Sequence, residues 1–430
     1  MNKITFIILL LVGGMFGHSY SQSITSTKQY TKEIEQLSKS KSLQSAFSTI
    51  ETLDSWTMEN LITLTQIPAP PFKETKRAAA FKVMLKDAGA DTVWIDEVGN
   101  VLAMKYGQDK SRTVALDAHL DTVFPIETDV KVKMKGDTLF APGIGDDTRG
   151  LSMLVTILKA INNSNIKTSA NVLFVGSVGE EGLGDLRGVR HLFEKGDIKI
   201  DAWISIDGGD MGRINNQALG SKRYKAIFKG AGGHSWGAFG LANPHHGAAI
   251  AIAKFNERAL VYTAEGPKTS FNVGRIGGGT SVNSIPFESW MEVDMRSISA
   301  ARLKQIDSIF VQAMNEGLAE YNTMISDNKQ PLTLALIDIG NRPSGALSQN
   351  IPLIQRAIAA TQYFDKAPRL TIGSTNSNIP ISKGIPAITI GRGGRGGGAH
   401  SLGEWWMNDN GSEAIKLALL ILLSESQIVK

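Results

Sequence analysis

Thr113-Val-Ala-Leu-Asp-Ala-His119-Leu-Asp121 ends a short apolar run on an imidazole and a carboxylate. Leu151-Ser-Met-Leu154-Val155-Thr-Ile157-Leu158-Lys-Ala-Ile161 follows, with apolar positions at helical spacing. Asn171-Val-Leu-Phe-Val-Gly176 is again short, apolar and β-branched, and runs into Ser-Val-Gly-Glu180-Glu181. Strand, helix, strand in this order predicts parallel pairing, because two adjacent parallel strands need a crossover between them. Outward from this core, Ala202-Trp-Ile-Ser-Ile leads to Asp207, and Pro386-Ala-Ile-Thr-Ile leads across glycines to His400. These runs suit strands buried on both faces, so the expected architecture is α/β with a mainly parallel sheet.

Residues 221–341 have a different rhythm. Strands are expected at Lys222–Phe228, Ser270–Ile276, Glu288–Met295 and Pro331–Ile339, with helices at Gly247–Leu260 and Ala300–Tyr321. The order βαββαβ is that of a ferredoxin-like α+β module. Because the first pattern resumes after it, the module reads as an insertion, a lid or dimerisation domain at 221–341 within a catalytic domain made of 22–220 and 342–430. Residues 22–45 are rich in Ser, Thr, Lys and Gln and suggest a loose or helical lead-in.

A chain of 430 residues is long enough for two cores. Ile4–Gly17 is an apolar run too short to span a bilayer as a mature helix, and Ser19 and Ser21 suit cleavage before Gln22. Residues 1–21 are therefore expected to be an export signal, with no stable membrane anchor and a periplasmic or extracellular destination. The chain has no cysteine, which excludes disulfides, thiolate ligands and an acylated-Cys anchor. A formal charge of +4, scattered along the chain, argues against nucleic acid as a partner.

In an open parallel sheet, ligands gather at the carboxyl ends of strands. His119, Glu181, Asp207 and His400 all follow expected strands, and Asp146 in Gly-Ile-Gly-Asp146-Asp147 precedes a helix. A single H-x-D is weak evidence, since a buried, hydrogen-bonded His is the commoner case. Several such residues on the strand ends of one sheet point instead to two divalent cations, with Zn²⁺ favoured by the N/O donors and Co²⁺ or Mn²⁺ as alternatives. Two-residue spacing would put Asp121 and His119 on one face, so that Asp121 fixes the imidazole tautomer. Adjacent Glu180 and Glu181 cannot easily point the same way, leaving one to bind metal and the other to act as a base. The set reads as a two-metal hydrolase.

These motifs resemble the co-catalytic zinc exopeptidase superfamily of peptidase T, the glutamate carboxypeptidases and the aminoacylases, over about Asp54–Ser424. Ser-Ile-Asp207-Gly-Gly and Gly373-Ser-Thr-Asn376-Ser-Asn-Ile-Pro are similar to the peptidase T-like branch. The resemblance implies that Asp146 bridges two metals, with His119 and Asp207 at one and Glu181 and His400 at the other. It implies Glu180 as general base, Asp121 as support for His119, and a cis peptide between Asp146 and Asp147. It also implies His234, in Gly-Ala-Gly-Gly-His234-Ser, as a lid residue for the scissile carbonyl, often supplied by a partner subunit, and Asn283 with Arg296 as a substrate-positioning pair. Gly179 and Asn376 depart from the family, which commonly has Asp at both places.

The expected activity is hydrolysis of short peptides as an aminopeptidase or di/tripeptidase. An N-acyl-amino-acid amidohydrolase or carboxypeptidase is an alternative, with acylated amino acids as substrates in the first case; a non-catalytic peptide-binding protein is another. A homodimer through 221–341 is expected. The Gly391–Gly398 run lacks a P-loop ending and is read as a flexible loop delivering His400, with Arg392 and Arg395 near substrate anions. Trp405 and Trp406 are read as core.

Overall fold

The computed structural model describes residues 24–429, so the expected export signal lies outside the described residues. Its central element is a nine-stranded sheet in the order Thr92–Ile95, Val101–Lys105, Ala170–Ser177, Asp109–His119, Ala202–Ile206, Ala387–Ile390, Arg213–Ala218 and Gly345–Ala346, with Arg369–Gly373 also paired to Arg213–Ala218. Asp109–His119 lies parallel to both Ala170–Ser177 and Ala202–Ile206, and Ala202–Ile206 lies parallel to Ala387–Ile390. The pairs at either end of this order are antiparallel, whereas Arg369–Gly373 lies parallel to Arg213–Ala218.

Every residue of Ala170–Ser177 and of Ala202–Ile206 is buried, which is why these strands read as continuous apolar runs. Helices cover both faces. Gly411–Ser426 is apolar around most of its circumference and is buried along its length. Thr148–Asn163 is almost as enclosed and meets Asp54–Thr65 through two hydroxyl pairs, Thr57 with Thr156 and Thr65 with Thr148, both 2.7 Å. The lead-in is helical at Lys28–Ser38 and Lys41–Thr52 and packs apolar side chains such as Ile34, Leu43 and Ile50 into the core.

Residues 220–342 carry a separate four-stranded antiparallel sheet in the order Thr269–Gly278, Glu288–Ser297, Gly220–Lys229 and Thr333–Arg342. Its βαββαβ chain order is completed by helices Pro244–Thr263 and Ala300–Thr323. Alternation along Glu288–Ser297, with every second residue buried, shows a sheet covered on one face only. Under the helices, Phe310 stacks on Tyr224 at 5.3 Å and meets Phe255 edge-on at 5.1 Å. Among the described residues no helix is long and apolar enough to cross a membrane.

A second small sheet was not foreseen. Arg395–Gly397 pairs with Trp405–Met407, which pairs with Thr138–Phe140. Three residues of the glycine run expected as a flexible loop, Arg395–Gly397, are therefore a strand. Its glycines lie flat on the tryptophans: a Cβ on Gly394 would meet the Trp406 ring at 2.5 Å. Trp406 is fully buried, with the Arg149 guanidinium over its ring at 4.7 Å.

Removing the central ring of the smaller core tests this packing. Phe310→Ala should cost about 3–5 kcal/mol, the usual loss for a buried aromatic. Chemical denaturation followed by tryptophan fluorescence should show the shift, and a change below about 1 kcal/mol would mean that the aromatic stack does not hold the module together.

Candidate active site

His119 is the last residue of its strand and is buried beside Asp121. Its Nδ1 donates to the backbone carbonyl of Asp121 at 2.9 Å, whereas the Asp121 carboxylate is 3.8 Å away. The expected tautomer lock is present but is made by the main chain. The strand ends at His119, so residues 119–121 do not continue the pleat that would have aligned the two side chains. The Asp121 carboxylate instead accepts from the Glu180 N–H at 2.9 Å and the Glu181 N–H at 2.8 Å. It ties two neighbouring strand ends together and sets the glutamates in place.

His119 Nε2 faces Asp146 Oδ1 at 3.0 Å. His400 Nε2 faces Asp146 Oδ2 at 3.2 Å and Glu181 Oε1 at 2.9 Å. His119, Asp146 and Glu181 bring ligand atoms within 4.8 Å of one another. His400 reaches them from a left-handed backbone position, φ 64°. The Asp146–Asp147 peptide is cis, and Asp147 caps the following helix by accepting from Gly150 N–H at 3.2 Å.

Asp207 follows its strand into the same cavity of about 420 Å³, lined also by Asp146, Glu180, Glu181 and His400. Among the described residues its carboxylate accepts no side-chain hydrogen bond, and burial and then Asp146 raise its pKa. Burial likewise pushes Glu180 well above the usual carboxylate range, with Glu181 adding to the effect and Arg342 opposing it. Burial would lower His119, but the carboxylates of Asp146, Asp147 and Asp121 outweigh it and hold the ring well above its usual value. His400 is raised to about 10 by its bonds to Asp146 and Glu181.

Two imidazoles facing two carboxylates, a third carboxylate without a hydrogen bond and no sulfur donor fit divalent cations. Without such cations the carboxylates would repel one another. Bound cations would offset that charge.

Two important residues were missed. Arg342, the last residue of Thr333–Arg342, reaches from the antiparallel sheet into the cavity. Its Nη1 donates to Glu180 Oε1 at 3.1 Å and its Nη2 to the Glu180 backbone carbonyl. Both side chains are about 6% exposed, so this is a desolvated ion pair. Glu404 is the other. Its buried carboxylate accepts from Gly143 N–H at 2.7 Å and from Gly145 and Asp146 N–H at 2.9 Å, holding the loop that presents Asp146. No local motif marks either residue; Glu404 stands only a few positions beyond His400.

Arg296 lines the cavity, but Asn283 does not, which separates the expected pair. Asn283 and His234 are exposed neighbours: the Asn283 carbonyl accepts from Ser235 N–H at 2.9 Å, and His234 Nδ1 accepts from Trp236 and Gly237 N–H at 3.2 Å. His234 is not among the cavity-lining residues of its own chain. Arg392 is buried against the glycines before Asp146 and after Asp207 instead of facing the cavity, and Arg395 is exposed.

The departures from the family have local partners. Asn376 Nδ2 donates to Asp117 Oδ2 at 2.9 Å and to Ser177 Oγ at 2.7 Å, inside a buried network beneath the metal-ligand candidates. Burial pushes Asp117 up to about 6 against these bonds, and an aspartate at 376 would face it with like charge. Gly179 adopts φ 65°, and a Cβ there would meet Arg187 at 2.7 Å.

A family model described as Peptidase family M20/M25/M40 matches residues 115–424. The aminopeptidase PepT from Bacillus cereus ATCC 10987 superposes with a TM-score of 0.67 at 20% identity, covering 86% of this chain and 97% of that one. The dipeptidase Dug1p from Saccharomyces cerevisiae gives 0.67 at 17% identity, covering 90% and 99%. Human carnosine dipeptidase 1 gives 0.67 at 14% identity, covering 90% and 100%. At these identities the superpositions speak to the fold. No curated protein sequence matches the chain.

Removing the Glu404 cradle should loosen Asp146 without touching a ligand candidate directly. Glu404→Ala should weaken divalent-metal affinity about 10–100-fold, measured by competition with a chromogenic chelator. Wild-type affinity in a folded variant would show that the loop holds Asp146 unaided.

Proposed function

Because the chain belongs to the peptidase family M20/M25/M40, it is a metal-dependent hydrolase, and we propose that it cleaves short peptides as an aminopeptidase or di/tripeptidase using two zinc ions. The observation that carries this reading is that Asp146, Glu180, Glu181, Asp207 and His400 line one cavity, with His119 against Asp146. His119, Asp146 and Asp207 would hold one ion, and Asp146, Glu181 and His400 the other. Such ions supply Lewis-acid polarisation of the substrate carbonyl and lower the pKa of water to about 7.

The remaining chemistry belongs to the side chains. Glu180 accepts the proton of the attacking water and returns it to the leaving amine. Arg342 holds the Glu180 carboxylate in one orientation, and Asp121 holds its backbone. Arg296 offers a planar fork to a terminal carboxylate. A cavity of about 420 Å³ suits a small peptide. An export signal at residues 1–21 would send the enzyme to the periplasm or outside the cell. The apolar run Ile4–Gly17, followed by Ser19 and Ser21, supports this destination.

The proposal includes a homodimer built through the inserted segment. Strand Thr269–Gly278 is an edge of its sheet, and exposed Ile276 lies on it, with Leu260 and Val261 on the adjacent helix. His234 lies outside its own chain's cavity lining, which leaves room for a partner to supply it.

Glu180→Gln should retain both metals while kcat falls about 10²–10⁴-fold; near-normal turnover with full metal content would remove Glu180 from the mechanism. Chelation should abolish hydrolysis of free-amine di- and tripeptides, with recovery on adding Zn²⁺. Strong preference for N-acylated amino acids over free-amine peptides would replace the peptidase assignment by an amidohydrolase, and metal binding without turnover would favour a binding protein.

The shared site has its own test. Mixing inactive His234→Ala and Glu180→Gln chains should restore part of the activity, because one hybrid site receives both intact residues. No recovery in mixtures shown to contain heterodimer would mean that each chain uses its own His234.

A further inference from the structure

The cavity that holds the carboxylate cluster is also lined by guanidinium groups. Arg213, Arg223, Arg296 and Arg342 all line it. The Arg342 charge is matched by Glu180. Of the other three, Arg223 and Arg296 share one nearby carboxylate. Asp294 accepts from Arg223 Nε at 2.8 Å and from Arg296 Nε at 2.7 Å.

Arg223 and Asp294 are register partners on adjacent strands, and Arg296 lies two residues beyond Asp294, so all three share one face. Both bonds to Asp294 use Nε. The terminal Nη groups of both forks therefore have no hydrogen-bond partner among the described residues. Arg213 comes from the central sheet: its Nε donates to Asn215 Oδ1 and its Nη1 to the Asp207 carbonyl, both at 3.1 Å, leaving Nη2 free in the same sense. Arg223 is 20% exposed and Arg296 38%, so these charges are partly withdrawn from water and held in fixed orientations.

One terminal carboxylate occupies one fork. Two further oriented guanidinium groups remain, and a second anion on the substrate satisfies them. We infer that the cavity selects short peptides ending in an acidic residue, with Arg296 taking the terminal carboxylate and Arg223 and Arg213 taking the side-chain carboxylate. This inference rests on the peptidase reading and adds the substrate class. Asp294 is then a positioning residue that aligns two forks by their inner nitrogens.

The test compares Ala-Ala-Glu, Ala-Ala-Gln and Ala-Ala-Lys as substrates of the zinc-loaded, full-length enzyme. Glu and Gln differ little in shape but by one charge. The expected kcat/KM ratio of Glu to Gln is about tenfold or more, carried mainly by KM, with Lys lowest. Arg223→Gln and Arg213→Gln should each bring that ratio towards one, and Arg223→Lys should keep part of it. Because the ratio is taken on a single preparation, loss of folded protein does not change it. Equal hydrolysis of all three peptides, or a ratio unchanged in both glutamine variants, overturns the inference while leaving the peptidase reading intact. Hydrolysis of none of the three overturns both.

Discussion

The buried Asp121 carboxylate sets the geometry of the site. It accepts the N–H groups of Glu180 and Glu181, while the carbonyl of the same residue orients His119. One residue thus connects the ends of two parallel strands, and with them a candidate metal ligand on each and the candidate base. Burial pushes Asp121 up to about 6, opposed by His119 and the two backbone bonds. A carboxylate buried so deeply is tolerated because its oxygens are occupied by main-chain donors.

A second constraint couples the two sheets. Arg342 closes the last strand of the antiparallel sheet and lies in the wall of the cavity against Glu180. Asn341 N–H donates to Asp185 Oδ1 at 2.8 Å, and Arg190 Nη2 donates to the Asn341 carbonyl at 2.8 Å. The antiparallel sheet therefore contributes to the site in two ways: Arg342 on the candidate base, and Arg223 with Arg296 in the cavity lining. A shift of this sheet would change base orientation and substrate contacts together.

Strand and helix positions were legible because burial imposes them. Ala202–Ile206 is buried at every residue and reads as an unbroken apolar run, and the one-sided Glu288–Ser297 reads as alternation. Metal-ligand candidates were legible for a related reason: His119, Glu181 and Asp207 follow such runs, and a carboxylate or imidazole at a strand end stands out. Glu404 was not legible, since its three bonds are to backbone N–H groups more than 250 residues away in sequence. Nothing in its neighbours records that. The small sheet at Arg395–Gly397 was hidden because glycine against tryptophan is a tertiary fit, whereas glycine runs by themselves favour loops.

By itself the sequence determined the α/β class, the βαββαβ order of the inserted segment and the residue types available for metals, since periodicity and strand-end placement are local properties. Only the tertiary structure decided which groups meet. It put the Asp121 carboxylate on Glu180 and Glu181 instead of on His119, separated Arg296 from Asn283, left His234 outside its own cavity lining and brought Arg342 to the candidate base. The reason is geometric: a hydrogen bond or ion pair depends on a few ångströms in space, and distance along the chain carries no record of that between residues on different elements.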